Sequence, residues 1–410
     1  MLDVAFIILF ALLGNFLFAK VGLPGILGMI LTGVVLGPDG FDLIDPEIQA
    51  LLQEFKTVAL IVILIRAGLG ISKETLNQIG GPAIRMSFIP GIIEGTIVLV
   101  VSYYLLNLQL YEAGMLGFII AAVSPAVVVP AMLQMKEQGL GKKKEVPTLV
   151  LAGASLDDVF AITIFGVFAG LAAGDSTNWG HLIFGVPAGI AVGAGLGAII
   201  GYLFTVFFKK YHIRDTMKVI IFMIVAVIFY EVAELPEVKN LVPIAALLGI
   251  MAIGFVLLEK YDILANRMAL KFNKVWVFSE ILLFVYIGSE VRIRDVNPSL
   301  IGIGLLILLA GLAARSLGVY LALLRSGLNM QERLFCVIAY WPKATVQAAM
   351  GAVPLAMVVE GKITSMTEET AHIILTMAVL SILVTAPLGA VGIKIGGPLL
   401  LERESDGNYA

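Results

Sequence analysis

The sequence predicts an all-α polytopic membrane protein with thirteen transmembrane helices arranged as two inverted repeats. Three observations predict it. Of the 410 residues, 60% are hydrophobic and 14% are charged, where an ordinary soluble domain carries about 25% charge; the mean hydropathy is +1.01. Apolar runs punctuated by Gly, Pro or charge recur along the whole chain. Lys and Arg fall in alternate loops between them. This composition excludes a soluble enzyme, a disordered chain and a nucleic-acid binder. The net charge of -3 is too small to imply an ionic partner.

In chain order, the runs place spans at about 3–19, 22–37, 49–68, 83–106, 113–135, 147–173, 181–208, 217–234, 241–258, 275–291, 299–324, 332–358 and 370–393. The first follows Met1-Leu2-Asp3 without a positive leader, so it reads as a retained span. The seventh carries Gly185, Gly189, Gly193, Gly197 and Gly201, one small stripe that lets another backbone approach. Its Gly193-Ala194-Gly195-Leu196-Gly197 lacks the strand–turn–helix setting of a nucleotide loop. No hydrophilic stretch is long enough for a separate soluble domain.

Orientation follows from the basic residues. Of 27 Lys and Arg, 19 lie in loops after odd-numbered spans or in the C-terminal tail, and 4 lie in loops after even-numbered ones. The other four are Lys56, Arg66, Arg315 and Lys343. The N-terminus is therefore expected outside and the C-terminus in the cytoplasm of a cell (inner or plasma) membrane protein. Cys336 is the lone cysteine, so no internal disulfide forms. His181, His212 and His372 sit near span ends; His212, among Lys209, Lys210 and Arg214, is best placed to sense pH.

Ionisable residues at membrane depth cost several kcal/mol each and point to function. Asp157 and Asp158 follow Pro147 by ten and eleven residues, a depth of roughly 15 Å at the helical rise. Glu94 lies nine residues beyond Arg85, Arg315 ten before Arg325, and Lys343 ten beyond Arg333, all at roughly 14–15 Å. Four helices thus bring five charges to one level. Glu94 and Arg315 read as a buried ion pair, since neither stays buried alone. Lys343 reads as a similar clamp or as a proton carrier. Adjacent acids on a helix point about 100° apart, so one base cannot easily neutralise both. They also repel, which favours holding a proton or a small hard cation such as Na⁺ or Li⁺ between them.

Two spans are interrupted at the same depth. The fifth contains Ser124-Pro125-Ala126-Val127-Val128-Val129-Pro130, and the twelfth contains Trp341-Pro342-Lys343-Ala344-Thr345-Val346-Gln347 with Pro354 beyond. Pro125, Pro130, Pro342 and Pro354 are the expected helix breaks. Freed backbone groups are tolerated at this depth only in a cavity or against protein. With the seventh span as connector, the breaks fall in the fifth span of each half, as expected of an alternating-access site.

At these residues the chain resembles the cation/proton antiporters, and the NHA-type sodium/proton antiporters in particular. The motifs are Leu23-Pro24-Gly25-Ile26-Leu27-Gly28 with Gly33 and Gly37-Pro38; Ser124 to Pro130; Val146-Pro147-Thr148-Leu149; Ser155-Leu156-Asp157-Asp158; and Trp341 to Ala349. The resemblance implies an NhaA-like fold with two crossed broken helices, assembled as a homodimer. It implies dimerisation-domain helices at 1–80 and 213–295, core helices at 81–175 and 296–394, a linker helix at 176–212 and a short tail at 395–410. It makes Asp157 and Asp158 the ion-binding pair that takes Na⁺ or Li⁺, with Asp158 essential and Ser124, Ser155 and Thr345 as neighbouring oxygens. Glu94 and Arg315 match the family's buried ion pair. Lys343 matches its crossover-helix lysine, which can pair with an acid at the position of Glu290.

The expected function is secondary antiport of Na⁺ or Li⁺ against H⁺, with an elevator-like core and cation and proton competing for the Asp-Asp site. Neither cofactor nor nucleotide is needed, and no enzymatic activity or nucleic-acid partner is expected. Relatives with a lysine where this chain has Arg315 are typically electrogenic. Arginine does not release its proton, so one-for-one, electroneutral exchange is expected. The alternatives are a K⁺/H⁺ antiporter of the same superfamily and a Na⁺-coupled organic-anion symporter; the acid pair argues against an anionic substrate.

Overall fold

The computed structural model describes residues 2–403 apart from 22, 39, 72, 174–178, 236, 239–243 and 290–297. The described residues are helical, with no strand beyond one isolated bridge between Leu140 and Arg403. A helix or broken helix overlaps each of the thirteen predicted segments. Among the described residues, seven helices are long and apolar enough to cross a membrane.

The chain packs as two compact units. The first comprises Met1–Asp45, Ile79–Asn178 and Ile287–Ala410. It holds α1 (Leu2–Lys20), α2 (Gly25–Leu36), most of α4 (Lys73–Leu105), α5 (Leu110–Ala121), α6 (Pro125–Glu137) and α7 (Val146–Ala172). The second comprises Pro46–Gln78 and Trp179–Tyr286. It holds α3 (Pro46–Gly68), α8 (Trp179–Lys210), α9 (Asp215–Glu234), α10 (Ala246–Lys260) and most of α11 (Asp262–Ser289). The first unit then continues with α12 (Pro298–Ala322), α13 (Met330–Ala339), α14 (Thr345–Met350), α15 (Val353–Val359) and α16 (Glu368–Leu400).

The unit boundaries at 79, 179 and 287 fall close to the expected ones at 81, 176 and 296, while residues 1–45 group with the first unit and no boundary falls at 213. Helices α1 and α2 pack on each other, and Gly33 and Gly37 of the second hairpin arm lie against Gly288 and Ser289. That contact puts the first 45 residues with the first unit. Helix α8 goes with the second unit because its glycine stripe is its packing face. A Cβ at Gly193, Gly197 or Gly201 would run into the backbone of Ala245, Gly249 or Ile253 respectively. Backbones meet over successive turns there, which no larger side chain allows.

Several helices outrun the apolar segments. Helix α4 begins at Lys73, ten residues before the predicted span, and α11 begins at Asp262 rather than 275. Hydropathy marks what tolerates hydrocarbon, whereas a helix continues into polar sequence until something stops it. Outward faces stay apolar: on α9, Ile220, Ile224 and Ile228 are exposed at helical spacing, as are Ile199, Leu203 and Val206 on α8. Such stripes suit lipid contact.

The first unit is also the one with interrupted helices. Between α5 and α6 the chain is non-helical at 122–124, and between α13 and α14 at 340–344. Pro125 opens α6 and Pro354 lies at the start of α15, positions where a missing N–H costs nothing. Pro342 lies inside the second interruption, its ring against Gly389 of α16. Pro130 corrects the sequence reading. It sits in the second turn of α6 and the helix runs through it to Glu137. Only its own ladder bond is forfeited there, and Val127, Val128 and Val129 around it are fully packed.

Candidate functional site

All five membrane-depth charges lie in the first unit. Glu94 is on α4, Asp157 and Asp158 on α7, Arg315 on α12, and Lys343 in the second interruption. Each belongs to an otherwise apolar segment, and all are buried. Arg315 is the hub. Its Nη1 lies 2.9 Å from Glu94 Oε2 and its Nη2 lies 2.7 Å from Asp157 Oδ2. Lys343 Nζ approaches the same Glu94 oxygen at 2.6 Å. The guanidinium rests on the Tyr340 ring, 5.2 Å from its centroid.

The expected Glu94–Arg315 pair is therefore part of a four-residue network that also takes in Asp157 and Lys343. Lys343 is paired with Glu94; Glu290, its other expected partner, lies outside the described residues. The two neighbouring acids are treated unequally. Asp157 accepts from Arg315 and from the Val123 N–H at 2.8 Å. Oδ1 of Asp158 has no hydrogen-bond partner among the described residues. Asp158 also retains 9% exposure against 1% for Asp157. Asp158 is the less enclosed of the two.

The charges also hold the broken backbone. Helix ends leave carbonyls and amides without partners, and at this depth water does not supply them. Arg315 Nη1 donates to the Ala121 carbonyl at the end of α5, and Arg315 Nε donates to the Tyr340 carbonyl at 3.0 Å. One side chain thus closes the ends of two interrupted helices. The Ser124 N–H donates to the Pro342 carbonyl at 2.8 Å, tying the interruptions directly to each other. The Lys343 N–H donates to Thr385 Oγ1 of α16 at 3.0 Å. Gln347 donates through Nε2 to the Ile119 and Ala122 carbonyls, at 2.8 and 3.0 Å.

Sequence reasoning named Ser124 and Thr345, and both are buried beside the interruptions with hydroxyl oxygens that have no partner among the described residues. Ser155 falls within α7, but its side chain lies outside the described residues. Gln347, Thr385 and Tyr340 were missed as site residues. Two of them, Tyr340 and Gln347, flank or end motifs that were already singled out. Thr385 gave no signal, being one hydroxyl in the long apolar helix α16.

The site is a buried charge cluster wrapped around two helix interruptions, with one acid, Asp158, outside the ion-pair network among the described residues. Residues 5–393 match the family model described as sodium/hydrogen exchanger, transmembrane. The chain is 32% identical to the human protein named sodium/hydrogen exchanger 9B2 over 388 residues, which is 93% of this chain and 70% of that protein. It is 30% identical to human sodium/hydrogen exchanger 9B1, covering 94% of this chain and 74% of the relative. Its fold is similar to that of the sodium proton antiporter MjNhaP1 from Methanocaldococcus jannaschii, with a TM-score of 0.77, 19% identity and 98% and 99% of the two chains covered. The full-length match to that family model and the relatives at 30% identity or more agree with the resemblance read from the motifs, and the chain belongs to the transmembrane sodium/hydrogen exchanger family.

Proposed function

We propose that this protein exchanges Na⁺ or Li⁺ for H⁺ across the membrane, one for one, at Asp158. The relatives are named sodium/hydrogen exchangers, and the structural neighbour a sodium proton antiporter. The observation that carries the reading is the charge balance of the buried cluster. At their ordinary charges, three acids face two bases, leaving a single negative charge. Arg315 and Lys343 are committed to Glu94 and Asp157, so the deficit falls on Asp158. One proton or one alkali cation cancels it, and not both at once. Either loaded form is neutral and crosses at far lower cost than the empty one. That gives both the competition that couples the two flows and the electroneutrality.

The wider mechanism follows the family pattern. Thirteen spans would place the N-terminus outside and the C-terminus in the cytoplasm of the cell membrane, as the distribution of Lys and Arg supports. Helices within 81–175 and 296–394 would carry the ion in an elevator-type movement, against a homodimer formed through 1–80 and 213–295. The interruptions give the carrier a site at mid-depth that can face either side in turn.

The test is proton flux in proteoliposomes driven by Na⁺, Li⁺ or K⁺ gradients. Na⁺ and Li⁺ should each drive a pH change in the wild type, and Asp158→Asn should abolish it. Retained exchange in Asp158→Asn refutes the site, and exchange driven by K⁺ alone refutes the substrate. Clamping the membrane potential should leave the rate unchanged; a rate that follows voltage refutes the one-for-one count.

A further inference from the structure

We propose that the side-chain carbonyl of Gln347 is a ligand of the transported cation and tunes the preference between Na⁺ and Li⁺. The proposal rests on the reading of Asp158 as the exchange site. Gln347 is 1% exposed, on α14 just past the second interruption. Its amide nitrogen has two hydrogens, and the carbonyls of Ile119 and Ala122 take both. The amide cannot be turned round, because its oxygen would then face those same carbonyl oxygens. Oε1 therefore points away from the end of α5, and it is buried there without a donor among the described residues.

A buried carbonyl without a donor is expensive. Here it is not isolated. Ser124 Oγ, Thr345 Oγ1, Asp157 Oδ1 and Asp158 Oδ1 are in the same state. These oxygens come from segments that touch one another. Val123 N–H is bonded to Asp157, Ser124 N–H to the Pro342 carbonyl, and Gln347 to Ala122. Ala161 lies three residues beyond Asp158 and so on the same side of α7; it packs with Ala122 and Val346, the residue before Gln347. Buried oxygens lacking donors are what a desolvated alkali cation takes. A proton needs only the carboxylate. Gln347 contributes an oxygen and no charge, so it acts on the cation and leaves the charge balance untouched. With a neutral ligand, oxygen position and number discriminate between ions.

The experiment is full-length protein in proteoliposomes, with KM and kcat measured separately for Na⁺ and Li⁺. Gln347→Asn keeps both the donor and the acceptor and draws the oxygen back by one methylene. Gln347→Leu removes both. Expected for Asn is a KM rise of about tenfold, equivalent to about 1.4 kcal/mol, with the two ions affected unequally so that the Li⁺:Na⁺ KM ratio moves by more than about threefold. Leu leaves the α5 carbonyls unpaired and can fail to fold, which is why Asn is the deciding variant. A fall in kcat with the KM ratio kept near the wild-type value means that Gln347 only braces the helix end, and overturns the proposal. Unchanged KM values in folded Asn do the same. Failure of the underlying reading looks different: wild type without Na⁺- or Li⁺-driven exchange, or Asp158→Asn with it.

Discussion

The two helix interruptions are built alike and held differently. At 122–124, the carbonyl end of α5 is closed by Arg315 and Gln347, and the Val123 N–H by the Asp157 carboxylate. At 340–344, the Tyr340 carbonyl is closed by Arg315, but the Lys343 N–H goes to the neutral hydroxyl of Thr385. Thr385 in turn donates to the Ser381 carbonyl on its own helix. The first interruption therefore hangs on the acid next to Asp158, the exchange site proposed above. The second hangs on a hydroxyl whose charge never changes. The two breaks differ in what holds their freed N–H, a carboxylate of the charge cluster in the first and a hydroxyl of α16 in the second.

Removing Arg315 attacks both breaks, so it carries the largest expected effect. Arg315→Ala strands Asp157 and two helix-end carbonyls and leaves Glu94 with Lys343 alone; breaking a buried pair in this way costs about 3–5 kcal/mol. Unfolding in detergent should show that loss, and transport should disappear with it. Adding Glu94→Ala removes Arg315's other acid partner but deprives Lys343 of its own, so the two losses should be non-additive. A double-mutant cycle without coupling would remove the proposed pair.

Next come the two variants that separate the breaks. Asp157→Asn keeps an oxygen for the Val123 N–H but withdraws one negative charge from the cluster. With Asp158 ionised the cluster is then already neutral, so a bound cation leaves it positive. Whatever exchange survives should slow and become sensitive to membrane potential. Thr385→Val leaves the charge count alone and orphans one buried N–H, for about 1–3 kcal/mol. It should lower stability while exchange stays insensitive to voltage. If both variants behave alike, the distinction between the breaks is empty.

How much of this the sequence disclosed depends on how loud each residue is in its surroundings. Glu94, Asp157, Asp158, Arg315 and Lys343 stand out because a charge in an apolar run has few innocent explanations. The interruptions show because Pro cannot continue a helix ladder. Pro130 misled for the same reason: proline marks a place where a bond is missing, and a packed helix can lose one. The partners did not show. Lys343 meets Glu94 across 249 residues of chain, a pairing that no local pattern encodes. Thr385 was silent because a hydroxyl in a spanning helix normally bonds to its own backbone, and Thr385 does that as well. Gln347 lay inside a motif already noted, yet which way its amide faces depends on carbonyls of another helix.

The smallest expected effect tests how tightly the first break holds its acid. Gly91 precedes Glu94 by three residues and shares its face of α4. A Cβ there would sit 3.2 Å from Asp157 Oδ1, closer than comfortable by a few tenths of an ångström. Alanine is also the better helix former, by up to about 1 kcal/mol. The two effects oppose, so the melting temperature of Gly91→Ala should hardly move. Exchange should nevertheless slow, because the crowded carboxylate must shift while still bonded to Arg315 and Val123. Gly302→Ala on α12 supplies the comparison, since its added Cβ meets nothing within 4 Å. That variant should gain whatever alanine gives the helix and keep its exchange rate. Equal rates in the two variants would mean that Asp157 has room to spare, and that the first break is no more closely tied to the ion than the second.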